Sequence, residues 1–81
     1  MRMGIKKSIQ KLLSLPVEMR YDEVNHILVS LGFRLKNISG SHFIYKNELL
    51  SKKIVIVNHS NKVKRSYLRQ IILFIRPNGQ S

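Results

Sequence analysis

The 81-residue chain contains no cysteine, two prolines and only four acidic residues. Without cysteine it can form no disulfide, no thiolate zinc site and no cysteine nucleophile. No apolar run approaches the roughly 20 residues of a membrane-spanning helix, and the N-terminal segment lacks the uninterrupted apolar stretch of a signal peptide. We therefore expect a cytoplasmic protein that makes no contact with a membrane.

Positive charge dominates the composition. Fifteen Lys and Arg residues against four acidic ones give a formal net charge of +11, and no acid lies between Leu49 and Ser81. So much charge of one sign on a small body repels itself, and a polyanion is the natural partner. Because contact with phosphates releases condensed counterions, nucleic acid is the first candidate. A merely soluble cationic surface is the alternative.

Apolar spacing and turn residues predict three helices and three strands. The helices are Ile5–Leu13, which Pro16 follows, a second that begins near Tyr21 and ends before Gly32, and a third from about Lys64 to Arg76. The strands are Phe33–Ile38, Ser41–Lys46 and Ile54–Val57, with Ser39-Gly40 as a hairpin turn, Asn47–Ser51 as a loop and Asn58–Asn61 as a polar loop.

This order of elements predicts a single α+β domain over residues 1–81. Three hairpin-linked strands form an antiparallel sheet with one apolar face, and the helices cover that face in a two-layer arrangement. The four consecutive β-branched residues Ile54–Val57 indicate burial on both faces or a central place in the sheet. His26 falls among the polar positions of the second helix and is predicted to be a solvated surface residue.

One histidine is placed where chemistry is possible. His42 follows the Ser39-Gly40-Ser41 turn at the start of a strand, where the backbone is rigid and solvent is close. An imidazole titrates near neutral pH, which suits it to proton transfer. The alternative is an ordinary structural histidine. Strand alternation leaves the choice open, because both faces of this strand carry bulky side chains.

The runs Leu31-Gly32-Phe33 and Gly40-Ser41-His42-Phe43-Ile44-Tyr45 together resemble the HicA (YcfA-like) toxins of bacterial and archaeal toxin–antitoxin pairs. Ile54–Val57, His59, Lys62–Arg65 and Tyr67–Ile72 extend the similarity. The resemblance implies a domain core of about residues 21–76, with residues 1–16 as an N-terminal helical extension and residues 77–81 as a flexible tail. We expect the extension to pack against the core.

The resemblance also implies a fold like a double-stranded-RNA-binding domain, cleavage of messenger RNA, and neutralisation by a HicB-like antitoxin protein. The family's catalytic histidine corresponds to His42. The chain departs from the common pattern at Val57 and Ser60, where members often have proline and glycine, so the resemblance leaves the role of His59 open, as a possible auxiliary residue.

These residues suit phosphoryl transfer without a metal or other cofactor. RNA supplies its own nucleophile, the ribose 2′-hydroxyl; His42 moves a proton, and cations stabilise the charge that develops on the phosphate. The three histidines have no recognisable metal-ligand spacing, and clustered carboxylates are lacking. The candidate phosphate contacts are Ser39, Gly40, Ser41, Lys46, Lys62, Lys64 and Arg65.

Two other classes of protein fit the same composition. A non-catalytic module that binds structured RNA by shape explains the charge and the fold equally well. A DNA-binding regulator would use the last helix in the major groove, but the apolar face of that helix is needed for the core.

Overall fold

A computed structural model describes residues 4–77 of the chain. Three helices and five strands follow one another along the chain. They are α1 (Ile5–Leu13), β1 (Glu18–Arg20), α2 (Tyr21–Ser30), β2 (Arg34–Ser39), β3 (His42–Asn47), β4 (Lys52–Val57), β5 (Lys62–Lys64) and α3 (Arg65–Ile75). From α2 onward the helices and the longer strands follow the order helix, three strands, helix, which is the order that the apolar spacing and turn residues predict.

The N-terminal helix α1 packs against the rest of the domain. Leu12 is fully buried in the core, Ser8 is also buried, and Ile5 and Ile9 lie against the same cluster. Its Lys and Gln residues remain on the exposed side, as the amphipathic spacing predicts. The extension thus contributes side chains to the same core as the rest of the domain.

Helix α2 begins and ends where its sequence signals indicate. Asp22 and Glu23 stand in the first turn, where carboxylates favour the positive end of the helix dipole. Gly32 has φ +94° just after the helix, and the Phe33 N–H then donates to the Leu28 carbonyl at 2.9 Å. This left-handed turn directs the chain from α2 into the first long strand.

The three longer strands form an antiparallel sheet in the order β2-β3-β4. The interpretation of Ile54–Val57 as a central strand is therefore wrong, because β4 is an edge and β3 is central. Ile54 and Ile56 are buried, whereas Val55 and Val57 are only half-buried. One face of β4 packs on the helices and the other lies against partly exposed neighbours, so β-branched residues suit both faces without a central position.

A second, two-stranded sheet was not expected. β1 pairs with β5 in an antiparallel ladder that places Met19 opposite Val63, and both side chains are buried. The supposed polar loop Asn58–Asn61 is also partly ordered by pairing, since His59 and Lys62 exchange backbone hydrogen bonds of 2.9 and 3.0 Å. This small sheet joins the chain before α2 to the chain before α3.

Helices α2 and α3 lie on one face of the three-stranded sheet, and α1 packs against these two helices. Core side chains of the helices, among them Leu12, Ile27 and Leu68, form one cluster with Tyr45, Ile54 and Ile56 of the sheet. The protein is thus an α+β domain with a three-stranded antiparallel sheet, as predicted. Among residues 4–77 no helix is long and apolar enough to cross a membrane. Of the predicted tail over residues 77–81, residues 78–81 lie outside the described part of the chain.

A hydrogen-bonded chain inside the core joins α2 to β3. The fully buried Tyr45 hydroxyl donates to Asn25 Oδ1 at 2.6 Å, and the Tyr21 hydroxyl lies 2.6 Å from the Tyr45 oxygen. Burial raises the pKa of Tyr45, and the hydrogen bond with Tyr21 raises it further. The phenol therefore stays neutral and acts as a donor within the core.

Replacing Tyr45 by Phe is expected to lower the free energy of unfolding by about 1–3 kcal/mol, because it leaves the half-buried Asn25 acceptor without its donor. Chemical denaturation measures the change. Tyr67→Phe is the matched control, since the Tyr67 hydroxyl has no hydrogen-bond partner within residues 4–77, and its stability should stay near that of the native chain. Equal stability of the two variants would contradict the role assigned to the Tyr45 hydroxyl.

Candidate functional site

His42 is exposed at the start of the central strand β3. Its neighbours across the sheet are Ser39 in β2 and Val57 in β4. The next residue, Phe43, packs edge-on against Tyr21 of α2 with ring centroids 5.0 Å apart. The backbone that carries the imidazole is therefore fixed by strand pairing on both sides and by the aromatic contact between Phe43 and helix α2.

The register of the sheet decides which face His42 occupies. Tyr45 and Asn47 of β3 are buried toward the helices, and alternate residues of a strand point to opposite faces. His42, Ile44 and Lys46 therefore lie on the face that the helices leave open. We call this the open face of the sheet; the strand alternation left this point unresolved, and the burial pattern resolves it.

The turn before His42 is a two-residue loop. Ser39 pairs with His42, so Gly40 and Ser41 form the loop, one residue later than the predicted Ser39-Gly40 turn. Gly40 has φ +61°, a conformation that glycine adopts at little cost. The Ser41 carbonyl accepts a hydrogen bond of 2.9 Å from the Asn58 N–H, which ties this loop to the end of β4.

A small cleft of about 230 Å³ lies beside Val57, the residue of β4 that is paired with His42. Its lining consists of Val57, His59, Lys64 and Tyr67. Lys64 is also the residue before α3, and no side chain caps the first turn of that helix. The Arg65 N–H already donates to the Val17 carbonyl, but the positive dipole end of the helix still favours an anion at such a position. An exposed imidazole on the open face thus adjoins a cleft that contains a second imidazole and a lysine.

The turn after His59 has a strained backbone, and the strain includes Ser60, the residue that replaces the glycine of the family pattern. Ser60 and Asn61 have φ values of +53° and +65° between the paired residues His59 and Lys62. Positive φ at both central residues is typical of a tight type I′ hairpin turn, in which glycine and asparagine are preferred. Ser60 thus stands where the resemblance expects glycine, and the chain nevertheless forms the turn.

Ser60→Gly is expected to stabilise the protein by about 1 kcal/mol, because glycine removes the steric cost of the left-handed conformation. For a domain of this size that corresponds to a rise in Tm of roughly 4–8 °C. Ser66→Gly, an exposed position in the first turn of α3, should lower Tm instead, since glycine weakens helices. A fall in Tm for Ser60→Gly would contradict the strained turn.

The structure does not bring all the candidate phosphate contacts together. Ser39, Gly40, Ser41, His42, His59 and Lys64 lie at the hairpin loop, or in the cleft beside it. The Lys62 ammonium instead pairs with Glu18 at 3.3 Å, and Arg65 Nε donates to the Pro16 carbonyl at 3.3 Å. Lys46 lies at the far end of β3.

Two residues near the site escaped the sequence analysis. Tyr67 entered the sequence analysis only as part of the family-like run Tyr67–Ile72, yet it lines the cleft. Asn58 has a buried side-chain oxygen without a hydrogen-bond partner among residues 4–77, and unpaired buried acceptors are uncommon in folded proteins. No sequence pattern marks either residue. Within the same residues, no group of three or more His, Asp or Glu side chains is placed to hold a metal ion.

Fold and site define a small, strongly basic α+β domain with an exposed histidine beside a cationic cleft. Residues 21–76 match the family model described as the HicA toxin of bacterial toxin–antitoxin systems. The chain therefore belongs to the HicA toxin family and has the role of a toxin in a toxin–antitoxin pair. Comparison with curated proteins and with solved structures gave no match.

Proposed function

We propose that this toxin is an endoribonuclease that cleaves messenger RNA and that His42 is its catalytic residue. The observation that carries the proposal is the position of His42, which is exposed on the open face of the sheet and lies across from a strand position that lines the cationic cleft. A net charge of +11 supplies the attraction to a polyanion.

The chemistry needs only groups that RNA and this chain contain. The ribose 2′-oxygen attacks the adjacent phosphorus and loses its proton, and the bond to the 5′-oxygen of the next nucleotide breaks as that oxygen gains a proton. The products are a 2′,3′-cyclic phosphate and a 5′-hydroxyl. His42 moves one of these protons, which typically accelerates a reaction by about 10²–10⁴-fold. His59 is the auxiliary candidate for the other proton.

Cations and backbone amides at the site stabilise the charge that grows on the phosphate. Lys64 and the uncapped first turn of α3 are the donors that the cleft provides. The loop Gly40-Ser41 offers amide and hydroxyl donors next to His42. Lys62 and Arg65 bind Glu18 and the Pro16 carbonyl, so they can contact a phosphate only after these bonds break.

The partner that neutralises the toxin is proposed to be a HicB-like antitoxin, which acts with it in the cytoplasm. An antitoxin with acidic groups would complement the basic surface around His42. If it covered His42, it would exclude RNA from the site. Activity of the tight complex equal to that of the free toxin would contradict this arrangement.

Incubation of the purified protein with a messenger RNA in excess chelator tests the proposed activity. We expect shortened RNA whose new ends are a cyclic phosphate and a 5′-hydroxyl, at the same rate with and without chelator. RNA that is bound but stays intact would favour a non-catalytic RNA-binding module instead. Loss of cleavage in chelator would contradict the metal-free mechanism.

A further inference from the structure

Three cations lie directly opposite one another across the three-stranded sheet. Arg34 of β2 pairs with Lys46 of β3, and Lys46 pairs with Lys53 of β4. All three are exposed. We call Arg34, Lys46 and Lys53 the cation row.

The cation row shares the open face of the sheet with His42. Lys46 is four residues after His42 along β3, so it has the same orientation, and directly opposite residues of paired strands share a face. Four residues of strand span about 13 Å. Between the two positions the open face presents the half-buried side chains of Ile44 and Val55, which are also paired.

This arrangement is unfavourable for the free protein. Like charges directly opposite each other on paired strands destabilise a sheet. The ion pairs within residues 4–77 are Lys11–Glu23, Lys36–Glu48 and Lys62–Glu18, so none of them includes the cation row. Glu48 lines the same hollow as Lys46 and Lys53, but its carboxylate is bound by Lys36 at 3.0 Å. A bound polyanion relieves the repulsion.

We propose that the cation row binds phosphates of the RNA. These phosphates lie on the same RNA strand as the bond to be cleaved, a short distance from it. The row then acts as a positioning site that holds the strand across the open face, while His42 and the cleft act on the bond that breaks. This inference rests on the proposed nuclease function. It adds Arg34 and Lys53 to the proposed substrate contacts. It also assigns Lys46 to a phosphate other than the one that reacts.

The test compares two triple variants that lose the same charge. One carries Arg34→Gln, Lys46→Gln and Lys53→Gln; the control carries Lys6→Gln, Lys7→Gln and Arg69→Gln, which remove exposed cations of the helices α1 and α3. Each protein is given a dinucleotide, too short to reach from His42 to the row, and an oligonucleotide long enough to do so. Thermal unfolding checks that every variant is folded.

We expect the row variant to raise KM for the longer RNA at least tenfold relative to the control, while kcat and all dinucleotide kinetics stay close to the control. In a His42→Gln background, where cleavage is suppressed, the slope of log Kd against log salt should fall by about 2, since each single-strand phosphate contact contributes about 0.7. Because repulsion is removed, the row variant should also be at least as stable as the native chain.

Different results would overturn different claims. Cleavage by the native chain with equal KM for the row variant and the control would overturn the positioning site, and would leave the row as a surface for some other partner. Equal losses for the dinucleotide and the longer RNA would also overturn it, because the row would then act at the reacting phosphate. Failure of the native chain to cleave any RNA would overturn the proposed function itself.

Discussion

His42→Gln is expected to cleave RNA about 10²–10⁴-fold more slowly than the native chain, the usual contribution of one general acid–base group. Glutamine retains hydrogen-bonding capacity and a similar size but cannot act as a general acid or base near neutral pH. Because His42 is exposed at the start of β3, the substitution removes no core contact and stability should be unchanged. Single-turnover cleavage of a labelled RNA measures the rate.

The matched control for this prediction is His26→Gln. His26 is an exposed histidine of α2, as the sequence analysis predicted, and it takes no part in the open face or the cleft. Its cleavage rate should equal that of the native chain. Equal rates for His42→Gln and His26→Gln would remove His42 from the reaction and leave the cationic surface as a binding site alone.

Gly32→Ala is expected to destabilise the protein by about 2–5 kcal/mol, the sum of about 1–2 kcal/mol for a left-handed non-glycine residue and about 1–3 kcal/mol for disturbed buried hydrogen bonds. A Cβ at Gly32, where φ is +94°, would lie 2.9 Å from Asn47 Nδ2. That amide is buried, donates to the Leu31 carbonyl at 3.0 Å, and its oxygen accepts from the Leu50 N–H at 3.0 Å.

Gly40→Ala separates the two contributions. Gly40 also has a positive φ, +61°, but a Cβ there meets no atom within 4 Å. Its destabilisation should therefore be about 1–2 kcal/mol, the conformational cost alone. Chemical denaturation of both variants measures the difference. Equal destabilisation by Gly32→Ala and Gly40→Ala would show that the close approach to Asn47 does not restrict residue 32.

Local signals in the sequence predicted most of the fold. The bounds of α1 coincide with its apolar spacing, and Asp22, Glu23 and Gly32 mark the two ends of α2. The strands β1 and β5 have only three residues each, too few for a periodic pattern, and they form because the helices bring distant segments together. The sequence also could not predict that β4 is an edge strand, since β-branched residues suit central and edge strands alike.

The sequence predicts the local geometry of the candidate site only where neighbours along the chain determine it. His42 and the loop before it are local features, and the structure shows them together. The bonds of Lys62 to Glu18 and of Arg65 to Pro16 join residues far apart in sequence, so no local pattern reveals them. The cation row depends on the register of three strands, which includes a bulge between Leu35 and Asn37, and a bulge shifts the face of every later side chain.

Chemical rescue of His42→Ala by free imidazole tests the central claim most directly. Because His42 lies on an exposed face, alanine leaves an opening that imidazole from solution can enter. We predict that added imidazole restores cleavage by His42→Ala in a concentration-dependent way and leaves His42→Gln, whose side chain fills the opening, unaffected. Cleavage by His42→Ala at the native rate without imidazole would contradict the claim that this ring transfers the proton.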